Sequence, residues 1–334
     1  MIKDSWTGDY TKREATEKIP EKGSNVGIVL AMQRHGVRYP TELSEELKAK
    51  GIKSGQLMPE GVTTTQREIQ REGVRPGSAL SIFVDKIRVV GSPAGPVDET
   101  GEQRSLRTAR IVAEELAKMR KGGYDGVAAP SPILSYGTMT YFESDKVPYD
   151  HEGVYDAAEK TARAEGKDVE VAASIAQDAA LNAAFSSTHP NAESMKKEAA
   201  GAFAVFIEQM IDRMKNMQNN ETAIVPAGTH GGVMEYLLQQ AMIWTDEEGK
   251  QHGPGFMRIE EIKGAFMASE GYNLEIENGR DGKLSEIRVT FQDKARRSGI
   301  YNAQIDISLM HSLADYYRGL HKEIPMSGIE KIDL

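Results

Sequence analysis

The sequence predicts an α/β fold: a three-layer sandwich with a mostly parallel central sheet, helices on both faces, helical insertions and a C-terminal β-hairpin. Three observations predict it. Short apolar runs end at glycine-containing turns, stretches of helical periodicity separate those runs, and two partly alternating segments near the C-terminus flank a turn signal. The 334 residues are 39% hydrophobic and 27% charged, an ordinary globular composition with enough apolar side chain for a large core. A single domain over 1–334 is expected.

Val26 to Met32 (VGIVLAM) leads into Arg34-His35-Gly36, Ile87 to Val90 (IRVV) into Gly91-Ser92-Pro93, and Thr222 to Pro226 (TAIVP) into Gly228-Thr229-His230. Continuous rather than alternating apolarity marks strands covered on both faces, as in a parallel sheet between helical layers. Helical spacing runs from Arg104 to Met119 through Leu106, Ile111, Val112 and Leu116. It recurs from Ala202 to Met217, where Phe203, Phe206, Ile207, Met210, Ile211 and Met214 form one stripe. The methionines of that stripe read as core filling, and Glu193-Ser194 is expected just ahead of the helix. Tyr272 to Glu277 and Ile287 to Phe291 flank the turn sequence NGRDGK, which gives the hairpin. Residues 42–77 and 150–184 read as insertions. The second is rich in Ala, Glu, Lys and Asp, hence helical, and either segment is a cap over a site or plain surface helix.

Composition excludes several functions. The formal net charge of −9 argues against nucleic-acid binding through a broad basic face. An acidic chain that binds a phosphorylated compound must concentrate its cations in one pocket. The absence of cysteine excludes disulfides, thiolate metal sites and thiol nucleophiles. Met1 to Pro20 is polar and lacks the apolar stretch of a signal peptide, and no window is apolar enough to span a bilayer, so a cytoplasmic protein without a membrane partner is expected. His151, His252, His311 and His321 show no metal-binding spacing, and neither metal nor other cofactor is expected.

Sites in open α/β sheets form at the carboxyl ends of strands. The first strand end delivers Arg34-His35-Gly36-Val37-Arg38-Tyr39-Pro40, and the third delivers Thr229-His230-Gly231-Gly232. The RHGVRYP stretch resembles the signature loop of the histidine phosphatase superfamily, the group that includes phosphoglycerate mutases and histidine acid phosphatases. Its R-H-G-x-R-x-P form is that of the acid phosphatase and phytase branch. Ala227 to Leu238 (AGTHGGVMEYLL) resembles instead the second-histidine motif of the mutase-like branch. Ser92-Pro93 with Arg104 and Thr108-Ala109 resembles that branch's S-P…R-x-x-x-T-A segment, here with an inserted stretch between Pro93 and Arg104. Asn191-Ala192-Glu193-Ser194 resembles a further family motif ending in Glu-Ser.

The resemblance implies metal-independent phosphoryl transfer through a phosphohistidine. It makes His35 the nucleophile, sets His230 against an equatorial oxygen, and makes Arg34, Arg38 and Arg104 the phosphate clamp, with Arg107 an alternative to Arg104. The residue types suit that chemistry. Guanidinium forks bind phosphate oxygens bidentately and stay charged, a neutral imidazole splits one displacement into two, and the transferring group needs mainly charge stabilisation and positioning. The general acid is less regular. The acid phosphatase branch has an aspartate directly after the second histidine, where this chain has Gly231. The mutase-like branch supplies a glutamate from the segment corresponding to 131–150, which makes Glu143 the expected acid, with Asp145 and then Glu193 as alternatives. His189 either lines the pocket or is a loop histidine. Lys294-Ala295-Arg296-Arg297 reads as a solvated face or a contact for an anionic substrate tail. The expected function is hydrolysis of a small phosphomonoester. A mutase of the phosphoglycerate type and a non-catalytic phospho-ligand binder are the other readings.

Overall fold

The computed structural model describes residues 22–39, 43–98, 100–119, 121–135, 151–293 and 295–321. In chain order the elements are β1 (Gly27–Arg34), α1 (Glu45–Ala49), α2 (Pro59–Val74), β2 (Lys86–Gly91), α3 (Arg104–Lys118) and β3 (Gly123–Pro130). Then come α4 (His151–Ala164), α5 (Val169–Ser186), α6 (Ala192–Met214), β4 (Thr222–Thr229), α7 (Val233–Ala241), β5 (Met242–Thr245) and β6 (Gln251–His252). The chain closes with β7 (Gly271–Asn278), β8 (Leu284–Phe291), β9 (Tyr301–Ile305) and α8 (Ile307–Leu320). The strands form one sheet in the order β3-β2-β4-β1-β7-β8-β9-β5-β6. The four strands from β3 to β1 are parallel, and beyond β1 the sheet turns antiparallel.

Strand β1 shows why its run is continuously apolar. Val29 and Ala31 face a smaller core with Ile87, Ile224, Leu106, Ala109, Val112 and the α2 residue Ile69. Ile28, Leu30 and Met32 face a larger core with Val225, Leu274, Leu237 and the α6 residues Phe203 and Phe206. Each Val, Leu, Ile, Met or Phe among them, fully withdrawn from water, contributes roughly 1.5–3 kcal/mol. The layers are therefore α2 and α3, the sheet, then α6, α7 and α8, the sandwich that the sequence predicts.

Two differences from the sequence reading have physical reasons. Helix α6 begins at Ala192, so Glu193-Ser194 lie in its first turn rather than ahead of it. The small residues Ala199, Ala200, Gly201 and Ala202 hide this first half from a search for large apolar side chains. Gly201 has no side chain because α8 crosses there: a Cβ on it would lie 2.4 Å from the Leu313 carbonyl oxygen. The region after Trp244 also adds more than a hairpin, since Met310, Leu313 and Tyr317 of α8 join the larger core. Segment 42–77 yields α1 and α2, with α2 packed on α3. Segment 150–184 holds α4 and most of α5, which pack together as a helical hairpin.

The start of α3 rests directly on the end of β4. A Cβ on Gly228 would lie 1.9 Å from the Ser105 carbonyl oxygen, a distance no rotamer relieves. Overpacking a tight contact typically costs about 1–3 kcal/mol, and a backbone oxygen has little room to yield. Gly228→Ala should lower unfolding stability by about 3 kcal/mol or more, read from urea denaturation midpoints. An unchanged midpoint would show that α3 does not sit on β4 in this way.

Candidate active site

The two histidines are brought together by strand register. Strands β1 and β4 pair in parallel with Arg34 opposite Thr229, so the next residues, His35 and His230, leave the sheet side by side. The His35 amide extends the ladder by donating to the Thr229 carbonyl at 3.0 Å. Neighbouring parallel strands lie about 4.8 Å apart, and the two imidazole centroids are 5.4 Å apart with planes at 65°. Both rings are buried.

Hydrogen bonds fix the tautomers. His35 Nδ1 lies 2.9 Å from the Gly36 carbonyl oxygen. A carbonyl only accepts, so Nδ1 carries the proton and Nε2 presents a lone pair. Arg104 Nη2 lies 3.4 Å from His230 Nδ1, and a guanidinium only donates. His230 Nδ1 is thus the acceptor, and its Nε2–H donates to Ser92 Oγ at 2.8 Å. The Ser92 hydroxyl is itself paired with that of Ser135 and takes the Ala94 amide at 3.1 Å. Burial first, then Arg104, His230 and Arg34, hold the His35 imidazole well below the usual histidine range. Burial, then Arg104, Arg34 and Arg38, push His230 down to about 3. Both rings are therefore neutral at physiological pH.

The three expected arginines surround this pair. Arg34 ends β1 and donates to the Phe266 carbonyl at 2.7 Å and to Gln177 Oε1 at 3.4 Å. Arg104 opens α3 and donates to the Gly55 carbonyl at 3.0 Å. Burial, then Arg38 and Arg34, lower its guanidinium to about 10, which leaves it charged at neutral pH. Arg38 is exposed at the rim, yet its charge depresses Arg34, Arg104 and His230. Arg107 does not take the place of Arg104, because it turns to Glu114 at 3.6 Å. The Nε–H groups of Arg34 and Arg104 are buried and have no partner among the described residues. A buried donor without a partner is costly, and two of them on cations beside neutral imidazoles make a site built for an anion.

A buried frame behind Arg34 was missed in the sequence. Glu235, fully buried on α7, accepts the Gly232 amide at 2.9 Å and the Phe266 amide at 3.1 Å. Burial pushes its carboxyl up, against the pull of the Phe266 N–H and of Arg34. Glu270 accepts from Arg297 at 3.1 Å and pairs with Arg296, while its own carbonyl takes the Arg34 amide at 3.0 Å. Arg297 is thus no solvated face. It is 2% exposed, donates to the Gly264 carbonyl at 2.9 Å, and stacks 4.1 Å over Phe266. Glu235 carried a signal, three residues beyond a glycine at a helix start, the spacing of a capping glutamate. Arg297 carried none, since its stacking partner is remote in sequence.

The remaining candidates separate clearly. Glu143 and Asp145 lie outside the described residues. Glu193 is exposed and paired with Lys196 at 3.0 Å and Lys197 at 3.8 Å on its own helix. His189 is an exposed loop histidine whose Nδ1 accepts the Asn191 amide at 3.1 Å. Gly231 lies against Arg34: a Cβ there would stand 2.9 Å from Arg34 Cζ. An aspartate after His230 would displace the arginine. Among the described residues, no group of three or more His, Asp or Glu is placed to hold a metal, and no helix is long and apolar enough to cross a membrane.

No family model and no curated protein matches this chain. Among solved structures, it is similar to a phosphoglycerate mutase from Bacillus anthracis str. Sterne, at 14% identity over 83% of this chain and 97% of that one, with a TM-score of 0.36. It is also similar to a Klebsiella sp ASR1 phytase, at 12% identity over 90% of this chain and 96% of that one, with a TM-score of 0.39. A Hafnia alvei phytase in its apo form matches at 13% identity over 92% and 98%, with a TM-score of 0.40.

The buried neutral histidines make stability depend on pH. Unfolded histidines protonate as pH falls through about 6.5, while folded His230 stays neutral down to about 3. The unfolded state therefore gains protons first. Stability is full above that range and falls as pH drops below it, by about 1.4 kcal/mol per pH unit for each such group. Unfolding titrations from pH 7 downward should show this loss, and His230→Asn should make it shallower by about one proton. An identical slope in that variant would mean that His230 protonates freely in the fold.

Proposed function

We propose that this chain is a phosphomonoesterase that passes a phosphoryl group from a small substrate to His35 Nε2 and then to water. One observation carries the reading: a buried histidine whose Nδ1 proton is tied to a carbonyl, leaving Nε2 as a lone pair in the field of the Arg104 and Arg34 guanidiniums. In the first step that lone pair attacks phosphorus, the N–P bond forms, and the ester P–O bond breaks. The Nδ1–H bond to the Gly36 carbonyl offsets the positive charge that develops on the ring. Arg34, Arg38 and Arg104 take the charge spread over the equatorial oxygens. In the second step, water attacks phosphorus and restores free His35.

His230 changes partner in this scheme. Its Nδ1 accepts from Arg104, so it cannot donate to a phosphoryl oxygen in that state. An arriving dianion is a stronger acceptor for Arg104 than an imidazole is. Released from Arg104, Nδ1 takes a proton from bulk water, and the resulting imidazolium, stabilised by the bound dianion, donates that N–H to a phosphoryl oxygen while Ser92 keeps the Nε2–H. The proton for the leaving oxygen is assigned to Glu143, with Asp145 second, on the sequence resemblance. The same resemblance supports chemistry without a metal, and the sequence expectation of a cytoplasmic setting is kept in this reading.

Para-nitrophenyl phosphate tests this. The protein should release phosphate in the presence of chelator and be inhibited by vanadate. His35→Ala should lose at least about a thousandfold in kcat/KM, and Arg104→Ala about a hundredfold, as for removal of one donor to a developing oxyanion. Rapid quenching should trap phosphate on His35 in an acid-labile, base-stable bond. A mutase would move the group to another hydroxyl with little free phosphate, and a binder would hold phosphate without turnover. Hydrolysis that survives in His35→Ala would sink the scheme.

A further inference from the structure

We propose that Gln177, on the α4–α5 hairpin, is a substrate-binding residue that donates its side-chain N–H to an oxygen of the phosphoryl group held by Arg34. The proposal rests on the phosphoryl-transfer reading above and adds a contact from outside the motif residues.

The amide orientation is fixed by chemistry. Arg34 Nη2 approaches Gln177 at 3.4 Å, and a guanidinium has no acceptor, so the amide oxygen faces Arg34. The amide nitrogen is left over. It is buried, the residue is 5% exposed, and Nε2 has no partner among the described residues. Such an N–H is rarely left unused. The same is true of Arg34 Nε, so two unpartnered donors belong to side chains that touch each other beside His35 and His230.

The hairpin is a fixed wall rather than a loose cover. Asp178 accepts the Ala265 amide at 2.7 Å, and Asn182 accepts the Ile259 amide at 3.0 Å. These bonds clamp α5 to the loop whose Phe266 carbonyl holds Arg34. Leu181, one turn after Gln177 on the same helix face, packs over Gly232, with its Cδ2 3.9 Å from where a Cβ would stand. Helix α5 therefore presents Gln177 to the end of β1 and Leu181 to the turn after His230. Tyr155 of α4 reaches the same place: burial pushes its phenol up, against the pull of Arg34 and Arg38. A neutral amide suits this position, since it braces a cation through oxygen and binds an anion through nitrogen without adding charge.

The test is phosphate affinity, measured by calorimetry on the whole chain, with two variants. Gln177→Met removes donor and acceptor at similar length. Gln177→Glu keeps an acceptor for Arg34 and removes the donor. A hydrogen bond to a charged group implies about a tenfold or greater loss of phosphate affinity in both. The Glu variant should keep its thermal midpoint, because its bond to Arg34 is retained. A crystal structure with sulfate should place Gln177 Nε2 within hydrogen-bonding distance of a sulfate oxygen. Variants that bind phosphate like the wild type, or an Nε2 bonded elsewhere in the sulfate complex, would overturn the proposal. Wild-type protein that binds no phosphate at all would overturn the parent reading with it. Phosphohistidine trapped on His35 in variants of unchanged affinity would sink this contact alone.

Discussion

Everything at the site depends on the parallel register of β1 and β4. Eight consecutive pairs, from Gly27 opposite Thr222 to Arg34 opposite Thr229, align the two strand ends without slippage. Because side chains alternate across a strand, a slip of one residue would send His35 and His230 to opposite faces of the sheet. The register holds because both strands are buried on both faces, so any shift would disturb two cores at once. The geometry of the histidine pair is thus secured by packing that contains neither histidine.

The second constraint is charge. Three guanidiniums converge on a site beside buried imidazoles, and each cation depresses its neighbours. Repulsion and desolvation both disfavour this arrangement, and the protein offsets them with a frame set back from the site. Glu235 and Glu270 hold the loop that carries the Phe266 carbonyl, and Arg297 ties that loop down from behind. The carboxylates bond backbone amides rather than clasping the site arginines as direct ion pairs. Arg34 is therefore steadied through carbonyl oxygens and stays available to an anion. Burial, helped by the same field, keeps His35 neutral, as the proposed attack by its nitrogen requires.

Much of this was legible because it is local. The strand ends at Arg34-His35-Gly36 and Thr229-His230-Gly231 follow from apolar runs that stop at glycine, and Arg104 is implied by the resemblance of Ser92-Pro93, Arg104 and Thr108-Ala109 to a family segment. Arg104 could not be told from Arg107 by spacing alone. Only the placement of α3 on β4 turns one toward His230 and leaves the other facing Glu114. Arg297 was misread for a related reason: charged residues in polar stretches look alike until their partners are known. Arg297 found Phe266 and Glu270, and Glu193 found its own helix's lysines. The first half of α6 was hidden because helix packing there selects small residues instead of large ones.

The sequence by itself determined the layered α/β architecture, the strand ends that bear chemistry, and the residue types gathered there. Periodicity and turn chemistry act over a few residues, so a linear reading captures them. The tertiary structure decided which nitrogen of each imidazole carries the proton, why a side chain at position 231 would displace Arg34, and which helix brings Gln177 to Arg34. The His35 proton is set by its own neighbour Gly36, but the others depend on contacts between residues far apart in the chain, and such contacts leave no periodic trace in either partner's neighbourhood.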